Sequence, residues 1–332
     1  MTYVFIFTGE FGYEILNWNG TVRKWVQDNK KEDDTIIICS RQGLELMYEM
    51  ADYYIDVSEI DAYSNSIADC YCSYIRDSHD NIIRNGQHQQ DILSSIVQTI
   101  ESSGITDATY IYSPIPTQLH NCVFGHGGIY DVGAPQGVLN LQNNIYKKFT
   151  ADKSCKLDIE TKLGISLDEP YILCQTAARE VVRRDMTIQD IDKFINLLSQ
   201  KIPVICLGFD SGKKLDSKSI FNEFDSSSIH HYNVSSLNEQ SCLIEYASKC
   251  VFFTEGDFRS HIYLPPLFGK DVIAIAAKQI FEGFEDTSIK NAPIEFWNKN
   301  VWNFGGKIVP LYYETLQEQQ VDDYSNIIDS LI

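Results

Sequence analysis

Long apolar runs are missing from this chain of 332 residues. None approaches the ~18 residues that a membrane span requires, IIIC and VIAIAA being the longest candidates. The apolar stretch YVFIF has no basic segment before it and is too short for a secretion signal, so a cytoplasmic location is expected. Positive charge is scarce as well. Lys and Arg total 27 against 46 Asp and Glu, and a formal net charge of −19 disfavours a broad electrostatic grip on DNA, RNA or an anionic membrane. Regular cysteine spacing is absent too. The nine cysteines include one close pair, Cys70 and Cys72, with a single residue between them and no second pair to complete a zinc site. Reduced thiols in a reducing compartment follow.

What is present is a globular composition, 44% hydrophobic and 12% aromatic, on a length that suits two domains of about 150 residues each. The first half alternates strands with helices. YVFIF (3–7), TIIICS (35–40), YIDVSE (54–59) and ATYIYSP (108–114) read as strands. A helix from about Ile15 places Ile15, Trp18, Val22 and Trp25 on one face. QGLELMYEMA reads as a short helix, and DILSSIVQTIESSG (91–104) as a longer one that stops at glycine. The glycine-rich segment GHGGIYDVGAPQG (125–137) is too long for a simple connection and reads as a functional loop.

The second half repeats the alternation. YILCQT (171–176), IPVICLGF (202–209), SIHHYNV (228–234), VFFTE (251–255) and DVIAIAA (271–277, the expected last strand) are separated by helices over 187–200 and 237–250. Ile188, Ile191, Phe194, Ile195 and Leu198 share one face of the first of these helices. Short apolar runs between amphipathic helices indicate parallel sheets covered on both faces. The expected architecture is therefore α/β, with two Rossmann-like domains facing a cleft. The first domain spans 1–155, the second 156–310, and a C-terminal helix over 311–332 packs back.

Ligands bind at the carboxyl ends of strands in such sheets, so the residues after each strand form the candidate site. After the first strand stand Thr8, Gly9, Glu10, Gly12 and Glu14. Thr176 closes YILCQT, and Arg179, Arg183 and Arg184 follow it. Gly208 closes the next strand, and Thr254, Gly256, Asp257, Arg259, Ser260 and His261 follow VFF. One half offers carboxylates and the other arginines and helix N-termini. That asymmetry suits an anionic donor on one side and a hydroxyl acceptor, which needs a general base, on the other.

The run CQTAAREVVRRDMTIQDIDKFINLLSQKIPVICLGF, followed by LNEQSCLIEYASKCVFFTEGDFRSHIYLPPLFGKDVIAIAA, resembles the donor domain of GT-B glycosyltransferases, most closely the heptosyltransferase-like group, over about residues 170–277. TGEFGYEI is similar to the glycine turn that opens these enzymes, where an acidic residue serves as base. The resemblance implies a glycosyltransferase with a nucleotide-sugar co-substrate of unspecified base, no cofactor, and a saccharide, glycan or small-molecule acceptor. It implies donor binding by Thr176, Arg179, Arg183, Arg184, Gly208, Thr254, Gly256, Asp257, Arg259, Ser260 and His261. Gly9, Gly12 and His126 fall on the acceptor side. Two departures stand out: TEGDFRSH moves the family's glycine to position 256 and adds Arg259, and Tyr13 occupies the place of the acidic residue. No Asp-x-Asp motif follows a strand, so arginines and helix N-termini would stabilise the leaving diphosphate without a metal.

Either Glu10 or Glu14 is the candidate base. A helix dipole would keep Glu14 ionised and lower its basicity, which favours Glu10 between the glycines. Two other functions fit the pattern: transfer to hydroxymethylated DNA bases by a phage-type enzyme, and non-catalytic binding of a nucleotide sugar.

Overall fold

The structure, a computed structural model, describes residues 1–7, 14–60, 74–76, 82–84, 86–112, 144–175, 188–209, 227–253, 260–276, 298, 305–312 and 328–329. These residues divide into two compact units, one ending at Lys147 and the other beginning at Lys148. Among them, no helix is long and apolar enough to cross a membrane.

The first unit opens with β1 (Thr2–Ile6). A π turn, Glu14–Trp18, leads into α1 (Asn19–Asn29), then β2 (Thr35–Ser40) and β3 (Tyr53–Asp56). A separate antiparallel ribbon, β4 (Tyr74–Arg76) with β5 (Ile82–Arg84), precedes α2 (Gly86–Ser102) and β6 (Ala108–Tyr112). The main sheet is parallel throughout, in the order β3-β2-β1-β6. Its central strands are apolar along their length because both faces are covered. Val4, Ile6, Ile37 and Cys39 pack against Ile92, Ile96 and Ile100 of α2. On the opposite face Phe5 meets Trp18 and Trp25 at ring-centroid distances of 6.4 and 5.1 Å, and Phe7 meets Trp18 at 5.8 Å. Ile15, Trp18, Val22 and Trp25 are all buried, so the expected apolar face is the packed one.

A buried polar network pins α1 to the chain after β2. Asn19 Nδ2 donates to the Met47 carbonyl at 2.5 Å, and Arg23 Nη2 donates to the same oxygen at 2.6 Å and to Glu49 Oε2 at 2.5 Å. Lys147 Nζ reaches Glu49 Oε1 at 2.9 Å. Partial burial opposes ionisation of Glu49, but the hydrogen bonds from Arg23 and Lys147 win and hold its carboxyl at about 2.

The second unit contains α3 (Lys156–Leu163), β7 (Ile172–Gln175), α4 (Ile188–Ser199), β8 (Val204–Phe209), β9 (Ile229–Val234), α5 (Leu237–Tyr246), β10 (Lys249–Phe253), a short α6 (Leu264–Leu267), β11 (Val272–Ala276) and β12 (Ile308–Tyr312). All six strands are parallel, ordered β12-β11-β10-β7-β8-β9. Read from β9, this is the 3-2-1-4-5-6 order of a doubly wound dinucleotide-type fold, with the reversal between β7 and β10. Ile191, Phe194, Ile195 and Leu198 of α4 are buried against Ile172, Cys174, Val204, Cys206, Val251 and Ile273. The side chain of Ile188 lies outside the described residues.

Several local expectations need correction. QGLELMYEMA forms only one 3-10 turn, Glu45–Met47, after Gly43 at φ 84°. YIDVSE is a strand only to Asp56, whose carboxylate accepts from Ser58 N at 2.8 Å and turns the chain into a 3-10 segment. The helix after β9 stops at Tyr246, because Lys249 and Cys250 join β10 in register with Ile172 and Leu173. DVIAIAA is not the last strand, since β12 adds to its edge. Leu311 and Tyr312, assigned from sequence to a terminal helix, therefore lie in a strand. Of that segment, Ile328 and Asp329 are helical, and Ile328 enters the second core. The loop 125–137 and the pair Cys70 and Cys72 lie outside the described residues.

Gly306 precedes β12 with no room for a side chain. A Cβ there would stand 2.7 Å from Pro266 Cα and 2.8 Å from the Pro266 carbonyl oxygen, both backbone atoms. Gly306→Ala is expected to cost about 3 kcal/mol. Gly164→Ala, at an open left-handed helix cap with φ +69°, should cost only about 1 kcal/mol. Thermal denaturation of the two variants against the parent checks the ranking.

Candidate active site

Both sheets reverse strand order, the first between β1 and β6 and the second between β7 and β10. At such reversals the connections leave toward opposite faces and open a crevice at the carboxyl edge. The residues that follow β1, β7 and β10 in sequence are therefore those selected as candidates. Glu10, Gly9, Gly12, His126, Thr176, Arg179, Arg183, Arg184, Thr254, Gly256, Asp257 and Arg259 lie outside the described residues. The others are placed. Gly208 sits within β8 opposite Asn233, in the ladder rather than on a loop. Ser260 and His261 begin a 3-10 turn, Ser260–Tyr263, directly before α6. At the end of β7, Gln175 is buried and its Oε1 accepts from Gln240 Nε2 at 3.5 Å, a long contact.

Glu14 is the best-defined candidate. It opens the π turn, and its side chain is 0% exposed. Ser40 Oγ, at the end of β2, donates to Glu14 Oε1, and Tyr48 OH donates to the same oxygen at 2.8 Å. Arg41 Nε stands 3.4 Å from Oε2. The Tyr54 hydroxyl donates to the Arg41 carbonyl at 2.5 Å. The asparagine and arginine bonds to Met47 fix the residue just before Tyr48, so the α1 network also supports this cluster.

The electrostatics differ from the expectation for a helix start. Burial raises the proton affinity of Glu14, and the Arg41 charge and the hydrogen bonds from Ser40 and Tyr48 only partly oppose it. The helix dipole does not dominate. Its effect is worth a few tenths to about 1 kcal/mol, whereas removing a carboxylate from water costs several. Tyr48 is pushed well above the usual phenol range by burial and then by the neighbouring Glu14 charge, so it stays a donor.

Sequence reasoning missed Ser40, Arg41 and Tyr48. Ser40 and Arg41 were within reach, because they stand at the end of β2 and the same carboxyl-edge rule selects them. Tyr48 had no comparable signal, one tyrosine among 19.

No family model matches the sequence, and no curated protein matches it. Solved structures do. The ADP-heptose lps heptosyltransferase II of E. coli is 8% identical with a TM-score of 0.56, over 100% of this chain and 98% of that one. A glycosyl transferase family 9 structure from Veillonella parvula DSM 2008 is 9% identical with a TM-score of 0.57, over 99% and 95%. An E. coli heptosyltransferase with ADP is 9% identical with a TM-score of 0.51, over 100% of both chains. At these identities the likeness establishes the fold, which is that of the GT-B heptosyltransferases, as the sequence resemblance implies.

The raised proton affinity of Glu14 sets a direction for stability. A carboxyl that binds its proton more tightly when folded contributes fully below the unfolded value near 4.5, and that contribution is lost as pH rises above it. Glu14→Gln removes this titration while keeping an acceptor for Ser40 and Tyr48. The parent should lose stability relative to Glu14→Gln as pH rises above about 4.5. Denaturant midpoints of both proteins from below pH 4.5 upward measure it, and parallel curves would refute the assignment.

Proposed function

We propose that this chain is a glycosyltransferase that moves a sugar from a nucleotide-sugar donor to a hydroxyl of a saccharide acceptor, without a metal ion. The observation that carries the reading is the reversal of strand order between β7 and β10. The segment with Thr176, Arg179, Arg183 and Arg184 follows β7 directly in sequence, and the segment with Thr254, Gly256, Asp257 and Arg259 follows β10 directly. Full-length likeness to heptosyltransferase structures, one of them with ADP, supports the same reading. A saccharide acceptor accords with that likeness and with the acidic chain better than duplex DNA does.

In this reading the donor diphosphate binds at the second sheet. Arg179 and Arg183 offset the charge that grows on the leaving phosphate, by charge-assisted hydrogen bonds. The acceptor binds at the first sheet. As the acceptor oxygen bonds to the anomeric carbon, the sugar–phosphate bond breaks and the nucleoside diphosphate leaves with the electron pair. The acceptor proton passes to a general base. Of the two candidates, Glu10 and Glu14, this reading takes Glu10 as the base; that Glu14 has no exposed surface and is engaged by Ser40, Tyr48 and Arg41 supports the choice.

Calorimetry with UDP-, GDP-, ADP- and CMP-sugars, with and without EDTA, tests the donor class. One nucleotide should bind equally in both conditions, and Arg179→Ala and Arg183→Ala should each weaken it about 10- to 100-fold. Binding by none of them would sink the proposal. Glu10→Gln should lower turnover by about 10²- to 10⁴-fold with donor affinity kept.

A further inference from the structure

We propose that Cys155 and Cys242 are an oxidation site, a thiol pair that a small-molecule disulfide closes into a covalent staple between the start of α3 and α5. The site lies wholly within the second unit and stands apart from the glycosyltransferase reading. A 3-10 turn, Lys153–Cys155, leads into α3, and Cys155 is the cap of that helix. The turn packs along α5. The Cys155 S–H donates to the Asn238 carbonyl across 3.6 Å, and Asn238 stands one turn before Cys242 on α5. The Cys242 S–H donates in turn to the Cys155 sulfur. Both thiols are free.

Contacts before and after Cys155 hold the two segments in this register. The Ala151 N–H donates to Glu245 Oε2 at 3.2 Å, and the ammonium groups of Lys153 and Lys156 stand 5.6 and 4.7 Å from the centre of the Tyr246 ring. Asp152 accepts from the Ser154 N–H at 2.9 Å and fixes the turn itself. Packing therefore sets the pair. A disulfide needs that, because its Cβ atoms must stand within about 4.5 Å of each other without backbone movement. Access then separates Cys155 from the other thiols. Among the described free cysteines, it alone is not buried. Cys174 and Cys206 also stand opposite each other, across β7 and β8, but both are buried in the sheet. Cys242 is fully buried, so Cys155 is the point of entry and Cys242 acts second.

The Cys155 thiolate attacks one sulfur of the small disulfide, which forms a mixed disulfide and expels one thiolate. Cys242 then gives up its proton and attacks the Cys155 sulfur, expelling the second thiolate. Two cysteines are oxidised, and one small disulfide is reduced to two thiols. Burial raises both thiols, Cys242 to about 12; the charge of Asp152 adds to the rise at each, that of Glu239 at Cys155, and Lys156 opposes it at Cys242. Exchange is accordingly slow near neutral pH. The pair stays reduced in a reducing compartment and closes when the surrounding thiol pool becomes oxidised. Once closed, the bond restrains a long loop of the unfolded chain, so oxidation stabilises the second unit.

The test is to incubate the native full chain with excess oxidised glutathione, block the remaining thiols, digest without reduction and map linked peptides by mass spectrometry. A link between Cys155 and Cys242 should form. The thermal midpoint should rise by about 5–10 °C and return on reduction with dithiothreitol. Cys155→Ser and Cys242→Ala should each lose both the link and the rise, and Cys242→Ala should retain glutathione on Cys155. If Cys242→Ala does not fold, Cys155→Ser, at a part-exposed position, decides the matter on the same criteria. Native protein that holds glutathione on Cys155 without passing it to Cys242, or that links the two only after denaturation, would overturn the proposal. So would a Cys155–Cys242 link that leaves the thermal midpoint unchanged or lowers it. None of these outcomes depends on whether the chain transfers a sugar.

Discussion

Parallel pairing is the constraint from which the rest of this molecule follows. A strand that must run alongside its predecessor in the same direction obliges the chain to return over a sheet face, and the returning segments cover both faces with helices. The strands then become apolar throughout, as in TIIICS and VIAIA, and their polar chemistry is confined to the edge where they end. In each unit the order reverses once, beside β1 in the first sheet and between β7 and β10 in the second. The reversal marks where the carboxyl edge opens to a ligand.

At that edge in the first unit, a carboxylate without access to water decides the local arrangement. Glu14 remains where it is because Ser40, Tyr48 and Arg41 converge on it from the end of β2 and the chain beyond. Arg23, Asn19 and Glu49 form a second polar layer beneath, locking the backbone at Met47. Such networks are demanding, since each donor removed leaves a buried acceptor unsatisfied at a cost of about 1–3 kcal/mol.

Much of the fold was legible in the sequence. Apolar runs such as VFI, IIIC, ILC and VFF are too short for helices and too continuous for half-exposed strands, so they announced buried parallel strands. The 3.6-residue spacing of Ile191, Phe194, Ile195 and Leu198 announced the helix between them. Short-range competition was harder to read. Asp56 ends its strand by a side-chain bond to Ser58, a local interaction that β propensity does not register. β12, with a proline at its centre, reads poorly as a strand, yet it pairs on the sheet's outer edge, where a missing N–H is tolerated. The position of Glu14 was legible, but its environment was not. A helix-start rule predicts an ionised, exposed acid, whereas burial raises its proton affinity, only partly opposed by Arg41 and by hydrogen bonds from Ser40 and Tyr48, 26 and 34 residues away. Which partners surround a buried acid depends on sheet order, and sheet order is not written in any short motif.

The central claim is sugar transfer driven by release of a nucleoside diphosphate, and phosphorus NMR of a reaction mixture tests it most directly. With the bound donor, a saccharide acceptor and excess EDTA, the account predicts that nucleoside diphosphate accumulates in step with glycosylated product, and only when acceptor is present. Donor that persists unchanged in the presence of every acceptor tried, or is consumed with no sugar reaching the acceptor, would contradict it.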